Sequence, residues 1–583
     1  MSIRTNPMKA IPSLLKRLKM TKTKTIDAST EEKLKSLIVE LEKIKNLFSI
    51  LKENEEELLD TLTLVDNHLR NLDKNKLKDI KNICERIRES TQKLLPKDTN
   101  QALDSSGATS EANKREKVES NPSSSQHKNK SNGKEWKKII DNHVQGETKD
   151  CFLSLSIFPE GAVIKKRHTI YWWIGEGLVK EKTEKTAEEV GEDVIEKLLK
   201  LNLIVPHGYS KCPVVNRFEI HPRIPVEPGP PWSSIVETSM DPKTIPTIHL
   251  PSNRISHSCL PLERQKVNLG DVDYLNIFSS TTIFNVGASY LNIESQIVDK
   301  MKSLQVLQLG RWKELASHHI EVESEEFLKE LKNKKQLKYI SLRGISRISK
   351  IPPSITQLES LEILDLKACH NLETLPDDIA SLRNLTHLDV SQCYLLDSMP
   401  KGIDKLTKLQ VLKGFVIGSL NKTPCRISHL ANLTQLKRLS IHIGSEAVIQ
   451  DNEFGSLENL SKLKCLKISW GVSATRYTDM EFSLPSNLEK LDLEGFPGER
   501  IPEWLKPSKL PDELKKLYIK GGKLKSLDHG EICHKWRVQI LLLKYLNHLQ
   551  IENWRLHKLF PSLRYVQKLK VLNHEDSEWT IEE

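Results

Sequence analysis

Long apolar runs, paired cysteines and catalytic constellations are all missing from this chain. Crossing a bilayer as a helix takes roughly 18 or more consecutive apolar residues. The longest candidate, residues 538–546, is short and is interrupted by Lys544, so a helical membrane-spanning protein is excluded. The nine cysteines (Cys84, Cys151, Cys212, Cys259, Cys369, Cys393, Cys425, Cys465 and Cys533) are scattered and none stands in a C-x-x-C pair. That removes zinc-finger and thioredoxin-type chemistry. No Ser/His/Asp, Cys/His, paired-carboxylate or metal-ligand spacing stands out among 19 histidines, so no catalytic residue and no metal site are expected and the chain is not expected to be an enzyme. Acid is absent from residues 1–26, which carry seven basic side chains (Arg4, Lys9, Lys16, Arg17, Lys19, Lys22 and Lys24). Lys16, Arg17 and Lys19 break up any secretory apolar core. Reduced thiols in the cytoplasm are therefore the expectation.

What is present changes character along the chain. The basic leader, 1–30, reads as a solvated segment ahead of a helix; contact with an anionic membrane or service as an organelle presequence are the other readings. Residues 31–97 carry a helical period. Leu34, Leu37, Leu41, Ile44, Phe48 and Leu51 are spaced three and four apart, a seam along which helices pack. A small bundle and one long dimeric coil both fit. Residues 98–149 are rich in Ser, Asn, Lys and Glu, too poor in apolar side chains to offset the entropy of ordering, and read as a linker. Its basic residues have almost no aromatic partners, so nucleic acid is not expected as a ligand. Residues 150–222 read as compact: Thr186 and Glu189 have capping-box spacing, followed by the stripe Val190, Val194, Ile195, Leu198 and Leu199. Prolines crowd residues 223–268, which predicts an extended connector.

From 269 to the end, L-x-x-L-x-L recurs. Copies begin at Leu304, Leu337, Leu361, Leu385, Leu436, Leu463, Leu488, Leu514 and Leu546, with a partial copy at Leu409. The starts at 337, 361, 385 and 409 are 24 residues apart, within the leucine-rich-repeat range. One copy is weak evidence, but ten in register are strong. Each repeat contributes a short strand that cannot bury its leucines alone, so stacking them predicts a solenoid with a parallel sheet on its concave side. The expected fold class is α/β: a horseshoe solenoid preceded by a helical coiled-coil bundle and a small globular domain. Cys369 and Cys393 occupy the same phase of the repeat, where a small buried polar group bonds the turn backbone, so their thiols are expected to be structural. Ile351-Pro352, Leu375-Pro376 and Met399-Pro400 recur at one phase and fix the convex return.

Function in such a solenoid rests on the strand residues that alternate with the leucines. Tyr339, Arg343, Asp365, Lys367, His387, Asp389, Arg438, His442, Lys490 and Asp492 are the expected partner-binding residues. Charges of both signs over a broad sheet suit a protein partner rather than a polyanion.

The segment Cys151-Phe-Leu-Ser-Leu-Ser-Ile-Phe-Pro-Glu160, then Trp172-Trp-Ile-Gly-Glu-Gly-Leu-Val179 and Glu188-Glu-Val-Gly191, resembles the winged-helix segment of plant coiled-coil NLR disease-resistance proteins. The resemblance makes Phe152, Phe158, Trp173 and Ile174 core positions of a winged helix, and makes the repeats, Leu361–Phe415 above all, the counterpart of the family's C-terminal sensor. The helical region resembles its coiled-coil signalling domain by periodicity alone. In that family the winged helix is an intramolecular clamp rather than a DNA reader.

The departures from the family are equally specific. Its phosphate loop, G-x-x-x-x-G-K-[ST], is found nowhere here; Gly133-Lys134 is followed by Glu135 and lacks the upstream glycine. Where the family carries Met-His-Asp, this chain has Ile220-His221-Pro222, so His221 reads as a degenerate nucleotide-sensor remnant and no cofactor is expected. The resemblance implies a cytoplasmic plant-defence scaffold without its nucleotide-binding domain. Its partners would be a pathogen effector, a guarded host protein or other NLR receptors, with self-association through the coiled coil. The alternative is an ADP/ATP-switched receptor whose gene model has lost the nucleotide-binding exon.

Overall fold

The computed structural model describes the chain from residue 144 to residue 580. Residues 160, 208–214, 223–247, 251–256, 263–265, 269–279, 313–319, 419–424, 472–479, 571–576 and isolated loop positions are excepted. The basic leader, the helical region and nearly all of the linker lie outside the described residues. No helix among the described residues is long and apolar enough to cross a membrane.

The winged-helix region comprises α1 (Glu147–Ser154), β1 (Ile164–Lys165), α2 (Lys166–Glu176), α3 (Ala187–Lys200), β2 (Ile204–Pro206) and β3 (Arg217–Ile220). The strands form one sheet in the order β1-β3-β2, with Ile164 opposite Phe218. Helix α3 begins where the capping spacing places it: the Thr186 backbone N–H donates to Glu189 Oε2 at 2.9 Å and the Thr186 hydroxyl donates to the same oxygen at 2.8 Å. Val190, Val194, Ile195 and Leu198 are buried, while Leu199 is half-buried. Phe152, Phe158, Trp173 and Ile174 are all buried, and the Trp173 indole N–H donates to Ser154 Oγ at 2.8 Å.

The repeats build a sheet of fifteen strands among the described residues, parallel except at its two ends. The strands that follow β3 are β4 (Ile248–Leu250), β5 (His257–Leu262), β6 (Lys266–Asn268), β7 (Thr282–Asn285), β8 (Tyr290–Asn292), β9 (Val306–Gln308), β10 (Glu321–Val322), β11 (Tyr339–Ser341), β12 (Ile363–Asp365), β13 (His387–Asp389), β14 (Val411–Ile417), β15 (Arg438–Ile443), β16 (Cys465–Trp470), β17 (Lys490–Phe496), β18 (Lys516–Gly522), β19 (Ile540–Lys544), β20 (Tyr565–Lys570) and β21 (Ser577–Thr580). Of these, β6, β8 and β10 form a small sheet of their own and the rest make up the large one. One ladder threads them: Leu307, Ile340, Leu364, Leu388, Leu412, Leu439, Leu466, Leu491, Leu517, Leu541 and Val566 pair in register from strand to strand. All are buried. Each such leucine contributes on the order of 2 kcal/mol by leaving water, and none can do so without the repeats on either side.

The repeat phase also explains the cysteines. Cys369 Sγ donates to Leu342 O and Cys393 Sγ to Leu366 O, each at 3.1 Å. Each thiol thus ties its turn to the preceding repeat. Burial pushes the Cys369 thiol up to about 12 and that of Cys393 well up, as expected of inert structural sulfurs. Asn285, at the end of the Thr282–Asn285 strand, ties its turn instead to the following repeat, donating to Ala288 O and Leu309 O. On the convex side, Pro352 and Pro376 each lead directly into a 3-10 turn, Pro353–Gln357 and Asp377–Ser381.

Within the proline-rich connector, Ile248–Leu250, His257–Leu262 and Lys266–Asn268 are strands, the first two of which extend the solenoid sheet. One expectation is corrected. The copy beginning at Leu546 is not a strand. The register is carried instead by Val538, Leu541 and Leu543, so the most apolar stretch of the chain is a repeat strand whose inward side chains are buried while Leu542 and Lys544 stay half-exposed. In β7 the inward position of the ladder, opposite Leu307, is held by Ile283 rather than by a leucine.

Candidate interaction surface

Alternation places Tyr339, Arg343, Asp365, His387 and Asp389 away from the leucine core, yet all are buried, and Lys367 and Arg438 are half-buried. Much of what covers them is the chain's own winged helix. Gly175 of α2 lies so close to Tyr339 that an added Cβ would meet the Tyr339 Cβ at 2.5 Å. The Tyr171 ring sits 4.4 Å from that of His387. Arg438 Nη2 pairs with Glu188 Oε1 at 2.8 Å, and Lys437 Nζ lies 3.3 Å from Thr186 Oγ1. At the other end of the seam, Phe158 meets Phe284 and Trp312 at 5.5 and 4.7 Å, and Trp172 meets Phe284 at 4.8 Å. The Thr282 hydroxyl donates to Glu176 Oε1 at 2.5 Å, an oxygen that also accepts from the Trp172 indole N–H. Phe158 therefore packs against the repeats as well as within its own domain.

Several charged groups in this seam are paired from strand to strand. Arg343 donates from Nε and Nη2 to Asp365 Oδ2, both at 2.8 Å, and Lys413 Nζ lies 3.2 Å from Asp389 Oδ2. Burial alone would push the Glu188 carboxyl up, but Arg438 and Arg167 outweigh it and hold it below the usual range. Burial lowers His387 to about 4 against the opposing pull of Glu188, and Lys367 to about 8. A buried carboxylate of this kind is tolerated only with cations in contact.

The remaining expected residues lie beyond the seam. His442 is half-buried, with Nδ1 3.0 Å from Ser469 Oγ. Asp492 is buried between Lys520 and Lys490, at 3.1 and 3.7 Å. Lys490 also stands 4.0 Å from the centre of the Tyr518 ring. The half-exposed outward positions of β16 to β19 are Lys467, Lys490, Glu494, Lys516, Tyr518, Lys520, Leu542 and Lys544. His221 directly follows β3 and is half-buried. Sequence reasoning missed Tyr171, Gly175, Glu188 and Lys413. A signal for α2 was available: Tyr171-Trp172-Trp173-Ile174 points apolar side chains in every direction, and a helix without a polar side is one buried on all sides.

A leucine-rich repeat region model matches residues 280–567, and a disease resistance protein winged helix domain model matches residues 157–224. In these two regions the chain is similar to plant NLR disease-resistance proteins, and neither matched model is a nucleotide-binding module. It is 29% identical over 426 residues to Disease resistance RPP13-like protein 4 of Arabidopsis thaliana, covering 72% of this chain and 48% of the relative. Over 239 residues it is 29% identical to Disease resistance protein PIK6-NP of Oryza sativa subsp. japonica, covering 38% of this chain and 20% of the relative. The chain thus spans about half or less of the length of these relatives. A solved leucine-rich-repeat protein of Leptospira interrogans aligns with a TM-score of 0.30 at 20% identity, over 49% of this chain and 77% of that one.

Proposed function

We propose that this NLR-type chain is a plant-defence scaffold whose solenoid is divided between two tasks. The repeats up to β15 hold the winged helix, and the half-exposed strip on β16 to β19 takes a protein partner. The observation that carries this reading is the split itself: α2 and α3 lie against the earlier strands, while the later ones present lysines around Tyr518 and Leu542. Five lysines (Lys467, Lys490, Lys516, Lys520 and Lys544) against Asp492 and Glu494 make the strip basic. It suits an acidic protein surface, with Tyr518 and Leu542 as its apolar centre. A pathogen effector, a guarded host protein and another NLR receptor are the proposed classes of partner, with the region 31–97 proposed for association. In this reading the chain works in the cytoplasm, uses no nucleotide and catalyses no reaction.

The test is affinity capture from infected plant tissue with the full chain and with a K467E/K490E/K520E variant. Loss of the captured partner, with an unchanged circular dichroism spectrum, supports the division. Capture that survives the triple reversal places the interface elsewhere. Substituting Arg343, Asp365 and Asp389 is no substitute for this test, because those side chains are buried and their loss acts first on folding.

A further inference from the structure

Between the start of α2 and strands β9 to β12 lies a half-enclosed cleft of about 20 Å³, lined by Lys165, His168, Gln308, Arg311, Arg343 and Asp365 among others. That is room for about one or two water molecules, or for the leading oxygens of a small anion. Its charge is one-sided. Asp365 is the carboxylate in the wall, and its Oδ2 is already committed to Arg343. Lys367 and Lys413 add their charges from just behind, Lys413 with Asp389 as its partner. Five basic side chains (Lys165, Arg311, Arg343, Lys367 and Lys413) therefore face two carboxylates, with the His168 imidazole besides.

The backbone is shaped to hold Arg311 there. Gly344 has φ +72, and a Cβ on it would meet Arg311 Nε at 2.7 Å; a Cβ on Gly310 would meet the Arg343 backbone N at 2.2 Å. Two glycines thus let the two arginine-bearing loops run in contact, with the Arg311 stem in the space a side chain would take. Neither Arg311 nor His168 has a side-chain hydrogen bond or ion pair among the described residues. Helix α2 opens at Lys165, with no side-chain cap and no acid in its first turn, so the positive end of its dipole is left for another anion. Burial and mutual repulsion push Lys165 down to about 6, and burial and Arg343 lower Arg311. Both groups are driven toward their uncharged forms, the opposite of what a neighbouring anion does.

We propose that this cleft binds the phosphate group of a small soluble molecule, with Arg311, His168 and Lys165 as its donors. Guanidinium, imidazole and amine donors converge here from two sides, on α2 and on the repeat strands. A tetrahedral, multiply charged oxyanion satisfies such a set better than a planar, singly charged carboxylate. Because Lys165 and His168 belong to the winged helix and Arg311 to the repeats, the anion bridges the seam and tightens it. The inference does not depend on which partner the basic strip takes.

The experiment uses the purified full chain, with inorganic phosphate and pyrophosphate as probes at an ionic strength held constant with sodium chloride. Calorimetry is expected to show saturable one-to-one binding, and saturating probe is expected to raise the thermal midpoint by about 3 °C. Arg311→Gln and His168→Gln should each weaken binding at least about tenfold, the loss of one charge-assisted contact, while Lys515→Gln on the exposed face binds as the parent does. Should Arg311→Gln fail to fold, His168→Gln decides. Absence of saturable binding, parental affinity in the histidine variant, or capture only by phosphatidate vesicles with no binding of free phosphate overturns the proposal.

Discussion

Arg438, on β15, reaches across to Glu188 on α3, and the 2.8 Å contact between them joins residues 250 positions apart. Glu188 has a second cation close by, Arg167, with Nε 3.6 Å away. The pair fastens the winged helix to the middle of the sheet, just as the Phe158, Phe284 and Trp312 cluster fastens it at the start.

Breaking this pair should loosen the seam rather than unfold the repeats. Glu188→Ala leaves Arg438 and Arg167 without their shared carboxylate, at a cost of about 3 kcal/mol, the size usual for one partner lost from a buried pair. Hydrogen exchange in α2 and α3 should accelerate while that of the leucine ladder stays slow. The exchanged pair E188R/R438E should restore part of the protection. Equal protection in the single variant and the parent would show that the contact holds nothing.

The seam should also weaken with acid. Folded His387 titrates at about 4, because it is buried beside Lys413, Arg438 and Arg167 as well as Tyr171 and Glu188, whereas unfolded it titrates near 6.5. Between those values the unfolded chain carries the extra proton, so stability is fully present above about 6.5 and is lost as pH falls toward 4. Lys165, lowered to about 6, acts in the same direction over the window from its ordinary value down to about 6. One such group changes stability by up to about 1.4 kcal/mol per pH unit. The thermal midpoint is expected to fall between pH 7.5 and 5, with His387→Gln showing a shallower slope below 6.5. Parallel slopes for the two proteins would remove His387 from the account.

Gly175→Ala separates propensity from packing. Alanine in a helix interior is better than glycine by about 1 kcal/mol, so an unconstrained α2 would gain stability. In the folded chain the new methyl group meets the Tyr339 side chain at 2.5 Å, and one of them must move. We expect net destabilisation of 1–3 kcal/mol, in the usual range of about that size for overpacking. Truncating the ring in G175A/Y339A does not move the Tyr339 Cβ, so it should restore only part of this. A more stable single variant would mean that α2 does not press on β11.

Much of this molecule was legible without coordinates. The leucine spacing foretold which residues point into the solenoid, and the phase of Cys369 and Cys393 foretold their backbone bonds. Thr186 and Glu189 foretold the start of α3. Repeats whose apolar residues departed from the pattern, such as Ile283 and the stretch around Leu541, were harder, because a short apolar run has no period of its own.

Strand alternation alone determined that Tyr339, Asp365, His387, Asp389 and Arg438 leave the leucine core, since that is a local property of period two. Whether they then meet water, a partner or another part of the same chain depends on contacts between residues one or two hundred positions apart, which no local pattern encodes. Only the tertiary structure, by laying α2 and α3 over the earlier strands, decided that most of the expected recognition residues are covered from within and that the later lysine-lined strands are left half-exposed.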